Sequence, residues 1–169
     1  MQAPPTRISQ RASRALREAY LEVFVLAAEM RARRVSPTQI QPLHDRIDGL
    51  LRAQRQVFLI TEVPQRFADL AHLAVVALVD ESARYGFGED SLHLWESFQY
   101  ELFQQENLGN RFFTELKALR NGFDTPVELL ELFSRCLSLG FSGEYAPLRL
   151  PELQTLRQHL ENQLAQQLM

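Results

Sequence analysis

Apolar residues recur every three or four positions along almost the whole chain, the period of helices buried on one face. Leu16, Tyr20, Val23, Phe24, Ala27 and Met30 define a first long helix ending near Arg34. Ser36-Pro37-Thr38-Gln39 has the form of a capping box with Pro at the first helical position. Behind it, Ile40, Leu43, Ile47, Leu50, Leu51, Val57 and Phe58 line a second helix. Val63-Pro64 opens a third, with Phe67, Leu70, Ala71, Ala74, Ala77 and Leu78 inward, and Tyr85-Gly86-Phe87-Gly88 ends it. Because its middle is apolar on all sides, this helix is expected at the centre of the molecule.

A shorter helix is predicted from about Ser91, carrying Leu94, Trp95, Phe98 and Leu102, with a break at Asn107 to Asn110. Phe112, Phe113, Leu116 and Leu119 line the next helix, stopped by Gly122. Thr125-Pro126-Val127-Glu128 reads as a second capping box, and its helix runs to Leu139, with Gly140 where a left-handed residue is wanted. Pro147 and Pro151 bracket a connection to a final helix on Leu153, Leu156, Leu160, Leu164 and Leu168. The pattern predicts an all-α fold of seven to eight helices.

Composition changes this picture little. The net charge of −3 argues against nucleic acid as the main partner, but the charge is unevenly spread. Residues 1–55 hold ten Arg against five acids, and the remainder eight Lys and Arg against sixteen. Either these are ordinary solvated helix faces, or the basic end leans on anionic lipid or an acidic partner. The single cysteine excludes an internal disulfide and a cysteine-based zinc site. The longest unbroken apolar run, Leu73 to Val79, is seven residues, whereas a membrane-spanning helix needs about 20. The Arg-rich N-terminus lacks the apolar stretch of a signal peptide.

Catalytic chemistry finds little support. Two Asp-x-x-His pairs, Asp69…His72 and Asp90…His93, share a helix face at i, i+3 and loosely resemble the carboxylate–histidine pairs of di-iron bundles. A helical metal-dependent enzyme using these histidines is therefore the rival reading, although Asp90 is better explained as a helix N-cap. Cys136 sits among Phe133, Leu137 and Leu139 and reads as a small buried hydrophobe. No phosphate loop, nucleophile elbow or HExxH motif is present. Asp80-Glu81 is different. Two carboxylates in the last turn of an apolar helix oppose its dipole, and a disfavoured placement points to an external role. Adjacent helical residues point about 100° apart, so the two cannot chelate as a simple pair.

In order along the chain, "ALVDE" (Ala77 to Glu81), a Trp-containing segment, "GNRFF" (Gly109 to Phe113) and "LLELFSRCLSLGFSGEY" (Leu129 to Tyr145), followed by a Leu-periodic helix, resemble the cytoplasmic domain of the DotU/TssL (IcmH) family. The resemblance covers roughly residues 15–168. It departs from the usual pattern at Leu108, Ser134, Arg135, Ser142 and Glu144, the last reversing a charge. Members are inner-membrane components of type VI secretion systems, with relatives in type IVB systems.

The resemblance implies two three-helix bundles in a hook-like arrangement: a flexible segment over residues 1–15, a helical cytoplasmic domain over 16–169, and a membrane anchor beyond 169. It implies a non-enzymatic scaffold without cofactors on the cytoplasmic face of the bacterial inner membrane. Such a scaffold pairs with a TssM-like membrane protein and recruits TssK- and TssE-like baseplate proteins, with a homodimer as a further option. A type IVB homologue with an IcmF-like partner is the alternative. The implied contacts are Asp80 and Glu81, in the groove between bundles, and the loop residues Phe141, Ser142, Gly143, Glu144 and Tyr145. On this reading, replacing both carboxylates by alanine weakens partner binding and leaves helicity intact.

Overall fold

Eight α-helices and three short 3-10 turns account for about three-quarters of residues 8–105 and 107–168, which the computed structural model describes; none of these residues is in a strand. The helices are α1 (Gln10–Glu18), α2 (Leu21–Arg31), α3 (Ile40–Ile60), α4 (Gln65–Gly86), α5 (Phe98–Phe103), α6 (Leu108–Asn121), α7 (Val127–Ser138) and α8 (Leu150–Gln167). The all-helical class follows directly from the hydrophobic period.

Helix α4 is the axis, as its composition requires. Phe67, Ala68 and every residue from Leu70 to Ala83 are buried. It packs on α2 and α3 to one side and on α6 and α7 to the other. α2, α3 and α4 thus form one three-helix group, and α6, α7 and α8 the second, with a continuous core running through α4. Alanines at 68, 71, 74, 77 and 83 let neighbouring helices approach closely. Backbone meets backbone at Gly86, where an added Cβ would lie 1.8 Å from the carbonyl oxygen of Met30. Gly86 is therefore required by backbone contact with the end of α2, more than by its place as a stop signal. Gly86→Ala is expected to force α2 and α4 apart and lower stability by about 2–3 kcal/mol, read as a fall in the urea midpoint.

Three of the helix stops are of one kind. At the end of α7, Gly140 has φ +105°, its N–H donates to Leu137 O, and Phe141 N–H donates to Cys136 O. This is the left-handed termination expected there, with two otherwise orphaned carbonyls satisfied. The same bond pattern closes α2 at Arg33 (φ 59°) and α3 at Glu62 (φ 58°). There the left-handed residue is not glycine and gave no signal in the sequence.

Several boundaries differ from expectation. The single first helix is two, broken at Tyr20, which takes a left-handed φ of 61°. Its N–H is held by Gln54 Oε1 and its ring packs edge-on against Phe58, so burial of the ring offsets the backbone cost. Ser9 Oγ accepts from Ala12 N–H at 3.1 Å and starts α1 at Gln10, inside the segment expected to be flexible to residue 15. The remainder of that segment, residues 1–7, and the expected anchor beyond 169 lie outside the described residues. The helix predicted from Ser91 is a 3-10 turn (Leu92–Leu94) followed by extended chain to Ser97. His44 stacks on Phe98 at 4.2 Å and its Nε2 bonds the Glu96 carbonyl at 2.8 Å, pinning this stretch to α3. Gly109 and Asn110 belong to α6 instead of breaking the chain. The second capping box does not form: Thr125 Oγ1 donates back to Leu119 O, and Glu128 accepts from Ser13.

Part of the uneven charge is met internally. Arg17 faces Glu128 and Glu131, Arg31 pairs with Glu81, and Arg55 with Asp69, so the basic end leans on the acidic part of the same chain.

Candidate functional site at Asp80 and Glu81

Asp80 and Glu81 are successive residues of α4, so their side chains diverge and each reaches a different loop. Neither is exposed: Asp80 retains 3% of its accessible surface and Glu81 5%. Moreover, α4 continues to Gly86, so they do not lie in its last turn. The helix-dipole premise for an external role therefore fails, and their burial has another cause.

Asp80 caps α5 from outside. Its Oδ1 accepts from Trp95 Nε1 at 3.0 Å and Phe98 N–H at 3.1 Å, and its Oδ2 from Ser97 Oγ at 3.0 Å and Gln99 N–H at 2.8 Å. A carboxylate at a helix N-terminus satisfies free amides and sits favourably in the dipole. Gln99 extends the network, its Oε1 accepting from Leu108 N–H at the start of α6.

Glu81 holds the loop after α7. It accepts from Ser142 N–H at 3.0 Å, Ser142 Oγ at 3.3 Å and Gly143 N–H at 2.7 Å. Arg31, the last residue of α2, supplies the compensating charge through a guanidinium hydrogen bond. The same guanidinium donates from Nε to Ser82 Oγ at 3.0 Å and lies 5.1 Å from the Tyr85 ring centre. A Cβ on Gly140 would meet it at 3.1 Å. Arg31 was not singled out in the sequence, because nothing local connects it to a carboxylate fifty residues away.

Of the loop residues, Phe141 and Ser142 are buried, Gly143 and Tyr145 half-buried, and Glu144 exposed. Phe141 packs on Phe112 at 4.4 Å, and Tyr145 meets Phe113 edge-on at 4.7 Å. Gly143 has φ +51°, and a Cβ there would lie 2.9 Å from the Phe113 ring and 3.2 Å from Gly109 O. The loop thus crosses the first turn of α6 backbone to backbone. Between them is a groove of about 500 Å³ walled by Arg84, Tyr85, Asn107, Asn110, Glu144 and Pro147. Glu81 reaches its floor, while Arg84 and Glu144 stand exposed at its edge. Arg84 and Tyr85 follow the Asp-Glu-Ser run after one alanine, the one sequence cue that could have placed them here.

The rival metal site does not assemble. Asp69 accepts from Arg55 and Gln65, His93 is exposed, and no group of three or more potential ligands converges among the described residues. Cys136 is fully buried, and burial pushes its thiol well above the ordinary range. His72 is buried against Tyr20 O–H, and that burial holds its imidazole down to about 4. A histidine neutral in the folded state and protonated at 6.5 when unfolded makes the unfolded chain bind the extra proton. Stability is accordingly expected to fall as pH drops from 6.5 toward about 4, and His72→Phe should flatten that part of the urea-midpoint profile.

Buried carboxylates of one central helix thus fix two loops beside a groove in an all-helical frame. Residues 15–168 match the family described as "Type VI secretion system protein DotU", and the chain belongs to that family. No curated protein matches it. The crystal structure of SciP/TssL from enteroaggregative Escherichia coli 042 shares the fold, with a TM-score of 0.69 at 20% identity, covering 80% of this chain and 77% of that one. Among the described residues no helix is long and apolar enough to cross a membrane.

Proposed function

We propose that this chain is a non-enzymatic docking domain of a type VI secretion membrane complex, at the cytoplasmic face of the inner membrane. It pairs there with a TssM-like membrane protein and recruits TssK- and TssE-like baseplate proteins. Membership of the family over residues 15–168 supports the system. The groove beside Glu81 supports the mode of action.

In this reading the contact residues divide by exposure. Glu144, Tyr145 and Gly143, with Arg84 and Tyr85, meet the partner. Asp80, Glu81, Phe141 and Ser142 act as positioning residues that hold the contact surface in shape. Alanine at both carboxylates would therefore report on folding as well as binding, so the edge charges make the better test. Arg84→Glu with Glu144→Lys is expected to weaken capture of the TssK- or TssE-like protein by roughly tenfold or more, with an unchanged circular dichroism spectrum and urea midpoint. Undiminished capture by the folded double variant would remove this groove as the docking surface.

A further inference from the structure

A second cleft, of about 430 Å³, lies between α6, the turn at Gly143–Tyr145 and α8. Much of its lining is apolar: Phe113 and Leu116 are buried, Tyr145 and Leu156 half-buried. Lys117 and Arg120 stand along the α6 side, three residues apart and hence on one face of that helix. Lys117 is exposed, and it is the sole lysine of the chain.

These two charges are not spent within the molecule. The acids of the adjoining segments serve other cations: Glu115 pairs with Arg111 at 3.7 Å, Asp124 with Arg66 at 3.4 Å and Glu152 with Arg149 at 2.7 Å. Glu161 lies about 140° around α8 from Leu156, away from the cleft. Glu144, on the turn opposite α6, is the one acid in the lining, so two cations face a single carboxylate. Neither cation makes an ion pair among the described residues; a neutral side chain holds Arg120 instead. Its Nε donates to Gln163 Oε1 at 3.0 Å, and Gln163 Nε2 donates to the Arg120 carbonyl at 3.3 Å. The guanidinium is thus positioned in advance with its charge intact, which lowers the ordering cost of binding.

A bare anion would meet the cations and leave the four apolar side chains facing water. A polypeptide segment that sets an acid beside an apolar residue uses both. We infer that this cleft is a second docking surface, for an acidic, apolar segment of a partner protein, with carboxylates against Lys117 and Arg120 and a leucine or phenylalanine against Leu116, Tyr145 and Leu156. It shares only Glu144 with the groove beside Glu81 and stands whether or not that groove docks a partner.

The probe is acetyl-Asp-Glu-Leu-Phe-amide, compared with acetyl-Asn-Gln-Leu-Phe-amide, acetyl-Lys-Lys-Leu-Phe-amide and acetyl-Asp-Glu-Ser-Ser-amide. Reductive methylation with carbon-13 formaldehyde marks the single lysine of the full chain and keeps its charge. The acidic apolar peptide is expected to shift the Lys117 methyl resonance. The neutral peptide and the acidic polar one should bind roughly fivefold or more weakly, and the basic one not at all. Added salt should narrow the gap between acidic and neutral peptides. Fluorescence anisotropy of the dye-labelled peptides measures the variants. Lys117→Glu, at an exposed position, is expected to abolish the preference for the acidic peptide, and Arg84→Glu, in the other groove, to leave it unchanged. Equal binding of acidic and neutral peptides, an equal shift with inorganic phosphate, or no shift with any peptide at millimolar concentration would each overturn the inference. So would a preference that survives Lys117→Glu or is lost in Arg84→Glu.

Discussion

Glu81→Ala is expected to lower the stability of the domain by about 3–5 kcal/mol, the range for removing one partner of a buried ion pair. The substitution strands Arg31, whose guanidinium has little access to water, and leaves the Ser142 and Gly143 amides without their acceptor. Against a typical total of about 5–15 kcal/mol for a domain, a large part of the folded population is at risk at growth temperature. Urea unfolding at pH 7 measures it. The Arg31→Ala, Glu81→Ala double variant should lose less than the two single losses added together, because the second substitution removes the stranded charge. A loss below about 1 kcal/mol for Glu81→Ala would show that the pair contributes no more than a surface contact.

Asp80→Ala comes second, with an expected loss of about 3 kcal/mol from four donors deprived of one carboxylate. α5 has only six residues, too few to persist without its cap. The damage should therefore be local first: faster amide exchange over 95–103, followed by the start of α6, which depends on Gln99. Trp95 is the sole tryptophan and donates directly to Asp80, so its fluorescence reports the event. A red-shifted emission at urea concentrations where the global fold persists is the expected result. An unmoved emission maximum together with an unmoved midpoint would refute the capping role.

Much of this fold was legible because helices buried on one face impose their period on the sequence. α3, α4, α7 and α8 appear where the apolar spacing puts them, and Gly140 terminates α7 in the left-handed conformation expected of it. The break at Tyr20 was hidden because one left-handed residue barely disturbs the spacing of Leu16, Tyr20 and Val23. The stretch after Ser91 has helical spacing but is held by His44 and Asp80, from α3 and α4, and tertiary bonds of that kind leave no local trace. The candidate site was legible in identity and misread in cause. Asp80 and Glu81 stand out as charges in an apolar helix, and the resemblance singles them out as well. Their donors, however, lie 15 to 62 residues further along the chain or, for Arg31, 50 residues before it. A one-dimensional reading offered only the helix dipole to account for them.

The adjacency of the two carboxylates has a mechanical consequence. Segments 95–99 and 142–143, from distant parts of the chain, are both referenced to a single peptide plane of the most deeply buried helix. When outer helices breathe, both segments move with that plane, so the spacing between them varies less than either varies against solvent. Two segments registered in this way keep their mutual distance when the helices around them shift.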